Sequence, residues 1–528
     1  MHKSANRDGV GWWGGFRSKS QSREGVEALA AQKRLSGRAK WHRCSPNRSA
    51  LNTRQPIDLY KRSYGTIIYL PEFVGQEWLW LWSGVGGSDL IKGVWRLCCG
   101  ALWMVLVEQE VAMELNMDLE REIPVLDWSR YLSERVEYMQ SSAIRELLKL
   151  TQQQDIISFA GGLPAAEFFP LREIEEACRY IVRYEGARAL QYGPSEGHPP
   201  LKEYLATSMH KYGVPAVPDN VLLTNGSQQA LDLIGKLFID PGDYVITDRP
   251  TYLGAIQAWM AYQARFQTVD MDDDGMLVDE IEDAYKQVVA RTGKPPKFIY
   301  ALPNFHNPAG TTMPLERRQR LAEIADRLDV PVIEDDPYGM LRYDGEDITP
   351  ICTFIPERTI YLGTFSKTLT PGLRLGWIVC PEVLIKRFVQ AKQGCDLHTG
   401  TFVQYIAADI CQRGLLKAHV KRLREAYRER RDTMLDALTE FWPEGSSWTR
   451  PQGGMFLWAR VPELINTQEF LKEAVAEGVA YVPGVHFYPN CDGGYNAMRL
   501  NFSYSPPHVI VEGIRRLGVA LKKALGQG

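Results

Sequence analysis

The chain has 528 residues, 45% of them hydrophobic and 24% charged, with a formal net charge of −3. That length and apolar content can bury a large core and suit two or three globular domains. The small net charge gives no reason to expect nucleic acid or another polyanion as the main partner. The nine cysteines show no CxxC or Cys/His ligand spacing, so they suggest a reducing compartment and neither a disulfide framework nor a metal site.

Residues 1–112 differ from the rest. They carry sixteen Lys and Arg against nine Asp and Glu, and eight of the fourteen tryptophans. Apolar runs at 76–82 and 95–103 sit among basic, Ser-rich and Gly-rich pieces without sustained periodicity. The apolar run 97–107 is too short to span a bilayer, and the first few dozen residues lack the apolar segment of a cleaved signal. The expectation is a poorly ordered basic, Trp-rich extension, with the working chain beginning at Met113 or Met117.

Residues 114–138 are acidic and amphipathic, and Ser142 stands in an N-cap position before a helical repeat over 142–150. Short apolar runs bounded by turn residues then predict buried strands at 221–224, 244–247, 297–301, 330–334, 359–362 and 376–379. Helical stretches such as 227–238 and 315–328 lie between them. The fold class is therefore α/β, a mostly parallel sheet with helices on both faces and ligands beyond the carboxyl ends of its strands. After residue 405 come a long charged helix over 415–441 and apolar runs at 453–458 and 498–503, which predict a smaller α+β domain. The expected divisions are 113–170 as an N-terminal arm and part of the small domain, 171–405 as the large domain, and 406–528 as the C-terminal small domain.

The polar motifs fall at the strand ends. Thr224-Asn-Gly-Ser-Gln-Gln-Ala-Leu-Asp232 reads as strand, glycine turn and helix start, so the amides of Gly226, Ser227 and Gln228 can face a phosphate; an ordinary capped helix has the same pattern. Pro250-Thr-Tyr-Leu-Gly254 offers the ring of Tyr252 for stacking on a pyridine face. Pro303-Asn-Phe-His-Asn-Pro-Ala-Gly310 restricts Asn307 before a proline, as a plain turn also would. Glu334-Asp-Asp-Pro-Tyr338 places Asp335 where a buried carboxylate needs a partner, such as a pyridinium nitrogen; a metal carboxylate pair is disfavoured because no His or further acid is near. Tyr338 can share a phenolic oxygen with Asn307.

In Thr364-Phe-Ser-Lys-Thr-Leu-Thr-Pro-Gly-Leu-Arg-Leu-Gly376, Lys367 is a Schiff-base amine flanked by small hydroxyls, and Thr364, Ser366 and Arg374 suit a phosphate dianion. This is the pattern of a pyridoxal 5'-phosphate anchor. Arg499, in an apolar strand, needs an anionic partner, either a substrate α-carboxylate or an internal acid. The glycine-rich loops 158–164 and 190–197 have no role readable from their chemistry.

Together the segments NGSQQALDL, PTYLGA, NFHNPAG, EDDPYG, GTFSKTLTPGLRLG and MRLNFSY resemble those of class I aminotransferases of pyridoxal-phosphate fold type I. The likeness runs over about residues 120–526 and is strongest to the branch of 2-aminoadipate and kynurenine aminotransferases. The resemblance implies that Lys367 bonds the cofactor, Asp335 pairs with the ring nitrogen, Asn307 and Tyr338 with the phenolic oxygen, and Tyr252 stacks on the ring. It implies Ser227, Gln228, Thr364, Ser366 and Arg374 for the phosphate, with Tyr192 reaching in from the other subunit of a homodimer. It implies Arg499 for the substrate α-carboxylate, Gly162 against the substrate backbone, and Arg145 for a side-chain carboxylate. Thr364 stands where serine is commoner but keeps the hydroxyl.

The reaction so implied is a ping-pong transamination between an amino acid (2-aminoadipate, glutamate, aromatic or branched aliphatic) and a 2-oxo acid such as 2-oxoglutarate, in the cytoplasm. Two rivals use the same sequence features. A pyridoxal-phosphate lyase or decarboxylase shares the cofactor shell. An aminotransferase-like transcription regulator needs a compact helical DNA reader upstream, a pattern that residues 1–112 do not show.

Overall fold

The computed structural model describes residues 126–139 and 156–527, together with the backbone of the strands Ile67–Ile68, Leu79–Ser83, Lys92–Cys98 and Ala101–Leu106. The chain divides into two compact units, Met1–Arg130 and Tyr131–Gly528. In the first unit those four strands pair in chain order as an antiparallel sheet. No strand is expected there from sequence, because a run that is apolar at nearly every position, such as Leu79–Ser83, carries no alternation to read. The expected poor order of 1–112 otherwise falls outside the described residues, as do the expected helix at 142–150 and Arg145.

The second unit is built on a seven-stranded sheet. Its strands, numbered in chain order, are β1 (Val221–Thr224), β2 (Tyr244–Asp248), β3 (Arg265–Val269), β4 (Ile299–Ala301), β5 (Val332–Asp335), β6 (Thr359–Thr364) and β7 (Gly376–Val379). The spatial order is β1-β7-β6-β5-β4-β2-β3, parallel throughout except that β7 runs antiparallel to both neighbours. The strands other than the edge strand β3 read as mostly apolar runs because both faces are covered. Leu222, Ile333, Ile360 and Ile378 join one core cluster, while their chain neighbours Val221, Leu223, Tyr361, Trp377 and Val379 join another on the opposite face. Successive side chains thus alternate between two buried layers.

The carboxyl ends of β1, β2, β4, β5 and β6 lie at one edge of the sheet. Because β7 is reversed, its amino end, which Arg374 precedes, lies at that same edge. Beyond the sheet, the helix Leu415–Phe441 packs on the last helix, Pro507–Ala524. These helices accompany an antiparallel sheet of Ser447–Trp448, Phe456–Arg460, Ala497–Asn501 and Val482–Pro483. Ile157–Ser158 pairs in parallel with Val479–Ala480, which ties the loop 159–164 to this region. The division expected at 405 falls inside the helix Thr401–Gln412, so the change of texture comes with the next helix instead. Among the described residues, no helix is long and apolar enough to cross a membrane.

Candidate active site

At the end of β1 the chain turns through Gly226 (φ +72°) into the helix Gly226–Phe238. A Cβ on Gly226 would lie 2.6 Å from Arg374 Nη2, and one on Gly376 would lie 2.6 Å from the Gly226 carbonyl carbon and 2.7 Å from the Ser227 nitrogen. Both glycines are required for β7 and Arg374 to pack directly on this turn. Asn225, at the N-cap, makes no side-chain hydrogen bond to the helix, so its amide leaves the first helical N–H groups open. Thr364 Oγ1 accepts the Ser366 N–H at 3.1 Å and donates to the Leu375 carbonyl at 3.0 Å, which presents the Ser366 hydroxyl 3.5 Å from Arg374 Nη1. Hydroxyls, a guanidinium and a helix start converge there as a cradle for a dianion.

Asp335 ends β5 and is 1% exposed. Tyr300, from the adjacent β4, donates its hydroxyl to Asp335 Oδ2 at 2.8 Å, whereas Oδ1 is buried with no partner among the described residues. Burial pushes the Asp335 pKa up to about 7 against the pull of the Tyr300 hydrogen bond. A carboxylate with one satisfied and one orphaned oxygen fits a protonated ring nitrogen, whose N–H would satisfy it and whose charge would offset the desolvation. The ring of Tyr252 packs over Gly254 beside this group, its hydroxyl pKa pushed up to about 12 by burial and the nearby Asp335.

Lys367 Nζ donates to the Gly162 carbonyl at 2.8 Å. Burial, then Arg499 and Arg374, lower its pKa to about 8, so the free amine is populated near neutral pH. Arg499 is 1% exposed and hydrogen-bonds only neutral oxygens: Nη1 to Asn307 Oδ1 at 3.0 Å and Nη2 to the Ala160 carbonyl at 2.7 Å. Its guanidinium lies 4.2 Å from the centre of the Phe456 ring and 5.2 Å from that of Phe487, and its Nε is buried without a partner. Burial lowers its pKa to about 10. Among the described residues no acid pairs with this cation, which leaves it suited to a carboxylate brought from outside. Asn307 in turn donates to the Tyr338 hydroxyl at 3.2 Å.

Ser227, Gln228, Tyr252, Asn307, Asp335, Tyr338, Thr364, Ser366, Lys367 and Arg374 all line one pocket. Gly226 adjoins it through Arg374, Gly162 through Lys367, and Arg499 through Asn307. The Gln228 side chain turns to the Gly254 carbonyl, so what it offers the helix start is its backbone amide. Within one chain Tyr192 is not at the pocket: it is 78% exposed and packs edge-on against His398. Tyr300 and the Ala160 carbonyl escape sequence reasoning, since a tyrosine in a buried strand and an alanine in a loop look like packing. Among the described residues, no group of His, Cys, Asp and Glu is placed to hold a metal.

Residues 155–517 match the family model of aminotransferase class I and II. Aromatic-amino-acid aminotransferase 1 of Thermococcus litoralis is 47% identical over 417 residues, covering 78% of this chain and 100% of that protein. The crystal structure of a multiple substrate aminotransferase from Thermococcus profundus matches with a TM-score of 0.72 and 44% identity over 76% of this chain and 100% of that one. An α-aminoadipate aminotransferase from Thermus thermophilus, solved with N-(5'-phosphopyridoxyl)-L-leucine, matches with a TM-score of 0.70 and 39% identity over 76% of this chain and 100% of that one. The family match and these likenesses agree with the site's chemistry, and the chain belongs to the class I and II aminotransferases as a pyridoxal 5'-phosphate-dependent transaminase of fold type I.

Proposed function

We propose that this enzyme moves the amino group of several amino acids, 2-aminoadipate, glutamate and aromatic or branched aliphatic ones among them, to a 2-oxo acid such as 2-oxoglutarate. The observation that carries the reading is the buried Lys367 amine, with its pKa near 8, in one pocket with Asp335 and within electrostatic reach of Arg499, which has no acid partner among the described residues. The range of donors follows the activities for which the relatives are named, which include an aromatic-amino-acid, a multiple-substrate and an α-aminoadipate enzyme.

In this reading Ser227, Thr364, Ser366, Arg374 and the amides of Gly226 and Gln228 hold the cofactor phosphate. Tyr252 covers the ring, and Asn307 and Tyr338 face its phenolic oxygen. The bound cofactor supplies an electron sink that makes the substrate Cα proton acidic. Asp335 holds a proton on the ring nitrogen. Arg499 grips the substrate α-carboxylate with its planar fork and so orients the Cα–H bond, while Gly162 backs the substrate backbone and Arg145 meets an acidic side chain. Lys367 Nζ would take the Cα proton and hold it for return, the same group acting first as base and then as acid. The site lies between copies in a cytoplasmic homodimer, where Tyr192, exposed in one chain, reaches the phosphate of the other.

The test is glutamate formation from 2-oxoglutarate with a panel of amino donors, followed together with the absorbance of the bound cofactor. Lys367→Ala should abolish turnover. Release of ammonia, pyruvate or carbon dioxide without glutamate would sink the transaminase reading in favour of a lyase or decarboxylase.

A further inference from the structure

Behind the phosphate cradle lies a hydrogen-bonded cluster that the mechanism does not use. Lys392, near the end of the helix Glu382–Gln393, has a fully buried side chain. Its Nζ donates to Gln229 Oε1 at 2.7 Å and to both oxygens of Asp396 at 3.0 and 2.9 Å. Asp396 Oδ2 also accepts the side-chain amides of Asn225 at 2.5 Å and Gln229 at 2.7 Å. Gln229 Oε1 accepts the Asn225 backbone N–H at 2.8 Å. Asn225 is therefore held by both its backbone and its side chain, one residue before the turn at Gly226.

The consequence concerns the helix start. Asparagine at an N-cap ordinarily turns its side-chain oxygen onto the second or third helical N–H. Here the side chain is drawn away to Asp396 and caps nothing, so those N–H groups stay available to an external anion. The carboxylate that draws it away would itself repel a phosphate dianion if left uncompensated, and Lys392 sits on it with both contacts at salt-bridge distance.

We infer that Lys392, Asp396 and Gln229 are positioning residues for the cofactor phosphate: the pair holds Asn225 off the helix start, and Lys392 cancels the charge that does so. This rests on the proposed placement of the phosphate at residues 225–228. None of the three is a catalytic residue, and their effect should be confined to the phosphate end.

The experiment measures binding of pyridoxal 5'-phosphate and of unphosphorylated pyridoxal to the full-length chain freed of cofactor, for the wild type and Lys392→Met. The expected result is a Kd for pyridoxal 5'-phosphate raised about tenfold or more, the loss of hydrogen bonds to a charged group, with the Kd for pyridoxal within about twofold. An unchanged phosphate-ester affinity, or equal weakening of both ligands, would overturn the inference. If Lys392→Met does not fold, Gln229→Met removes one acceptor and one donor of the cluster without changing its charge and should shift the same ratio by about threefold or more. A wild type that binds the phosphate ester no better than pyridoxal would instead defeat the placement of the phosphate.

Discussion

The two ends of the pocket are built on opposite plans. At the end proposed to take the ring nitrogen, one carboxylate, Asp335, lines the pocket, with one oxygen filled by Tyr300 and the other without a partner among the described residues. At the end proposed to take the phosphate, several hydroxyls, helical amides and Arg374 would share the work, and Arg374 and Gln228 remain exposed. A lone buried group has no understudy and sits where water cannot replace it. A distributed, half-solvated cradle loses one contact and keeps the rest. Loss of function should therefore be steep at one end and graded at the other.

Asp335→Asn tests the steep end. Its neutral amide cannot hold a proton on the ring nitrogen, so kcat should fall about 100- to 1,000-fold, while the cofactor stays bound by the untouched phosphate end. The same substitution should not weaken the cofactor-free fold at alkaline pH. The carboxyl's folded pKa, about 7, lies above its ordinary value, so the stability it contributes is present at low pH and is lost as pH rises through about 7. Asparagine stays neutral, and the melting temperature of the cofactor-free variant at pH 8 should equal or exceed that of the wild type. A variant with near-normal kcat would break the comparison.

Arg499→Lys comes next. The charge is kept but the planar fork is lost, so kcat/KM should fall about 10- to 100-fold, with most of the loss in KM for the amino acid. At the graded end, Ser366→Ala removes one contact of several and should weaken cofactor retention only about two- to tenfold, with kcat of the saturated enzyme nearly unchanged. Equilibrium dialysis against the cofactor reads this directly. A loss as steep as that of Asp335→Asn would show that the phosphate end is not distributed.

Much of this is legible in the sequence alone, and the reason is locality. The helix expected over 415–441 is the observed Leu415–Phe441, and the strand bounds shift by a residue or two, as where Pro331 accepts from Ile299 but has no N–H to donate and β5 starts at Val332. Lys367, Ser366, Thr364 and Arg374 lie within one segment, so their chemistry shows as a pattern of residue types. The contacts that complete the site join distant parts of the chain: Lys367 to Gly162, Arg499 to Asn307 and Ala160, Asn225 to Asp396. No local pattern encodes those pairings. Tyr300 is hidden for a different reason, since in a strand buried on both faces a tyrosine that serves a carboxylate looks the same as one that only packs.

The smallest expected effect links the two ends. Arg374 belongs to the proposed phosphate cradle, yet its charge is also one of the causes that lower the Lys367 pKa, after burial and Arg499. Removing a neighbouring cation makes protonation of the amine easier, so in Arg374→Gln the Lys367 pKa should rise from about 8 towards its ordinary value. The reacting form of Lys367 is the free amine. Its rate of reaction with pyridoxal, which has no phosphate for Arg374 to hold, should therefore rise with pH to a midpoint near 8 in the wild type and to a higher midpoint in the variant. Because Arg499 is the larger electrostatic cause, Arg499→Gln should move the midpoint further than Arg374→Gln does. An unmoved midpoint in both variants would mean that burial alone sets the amine, and the two ends of the pocket would then act independently.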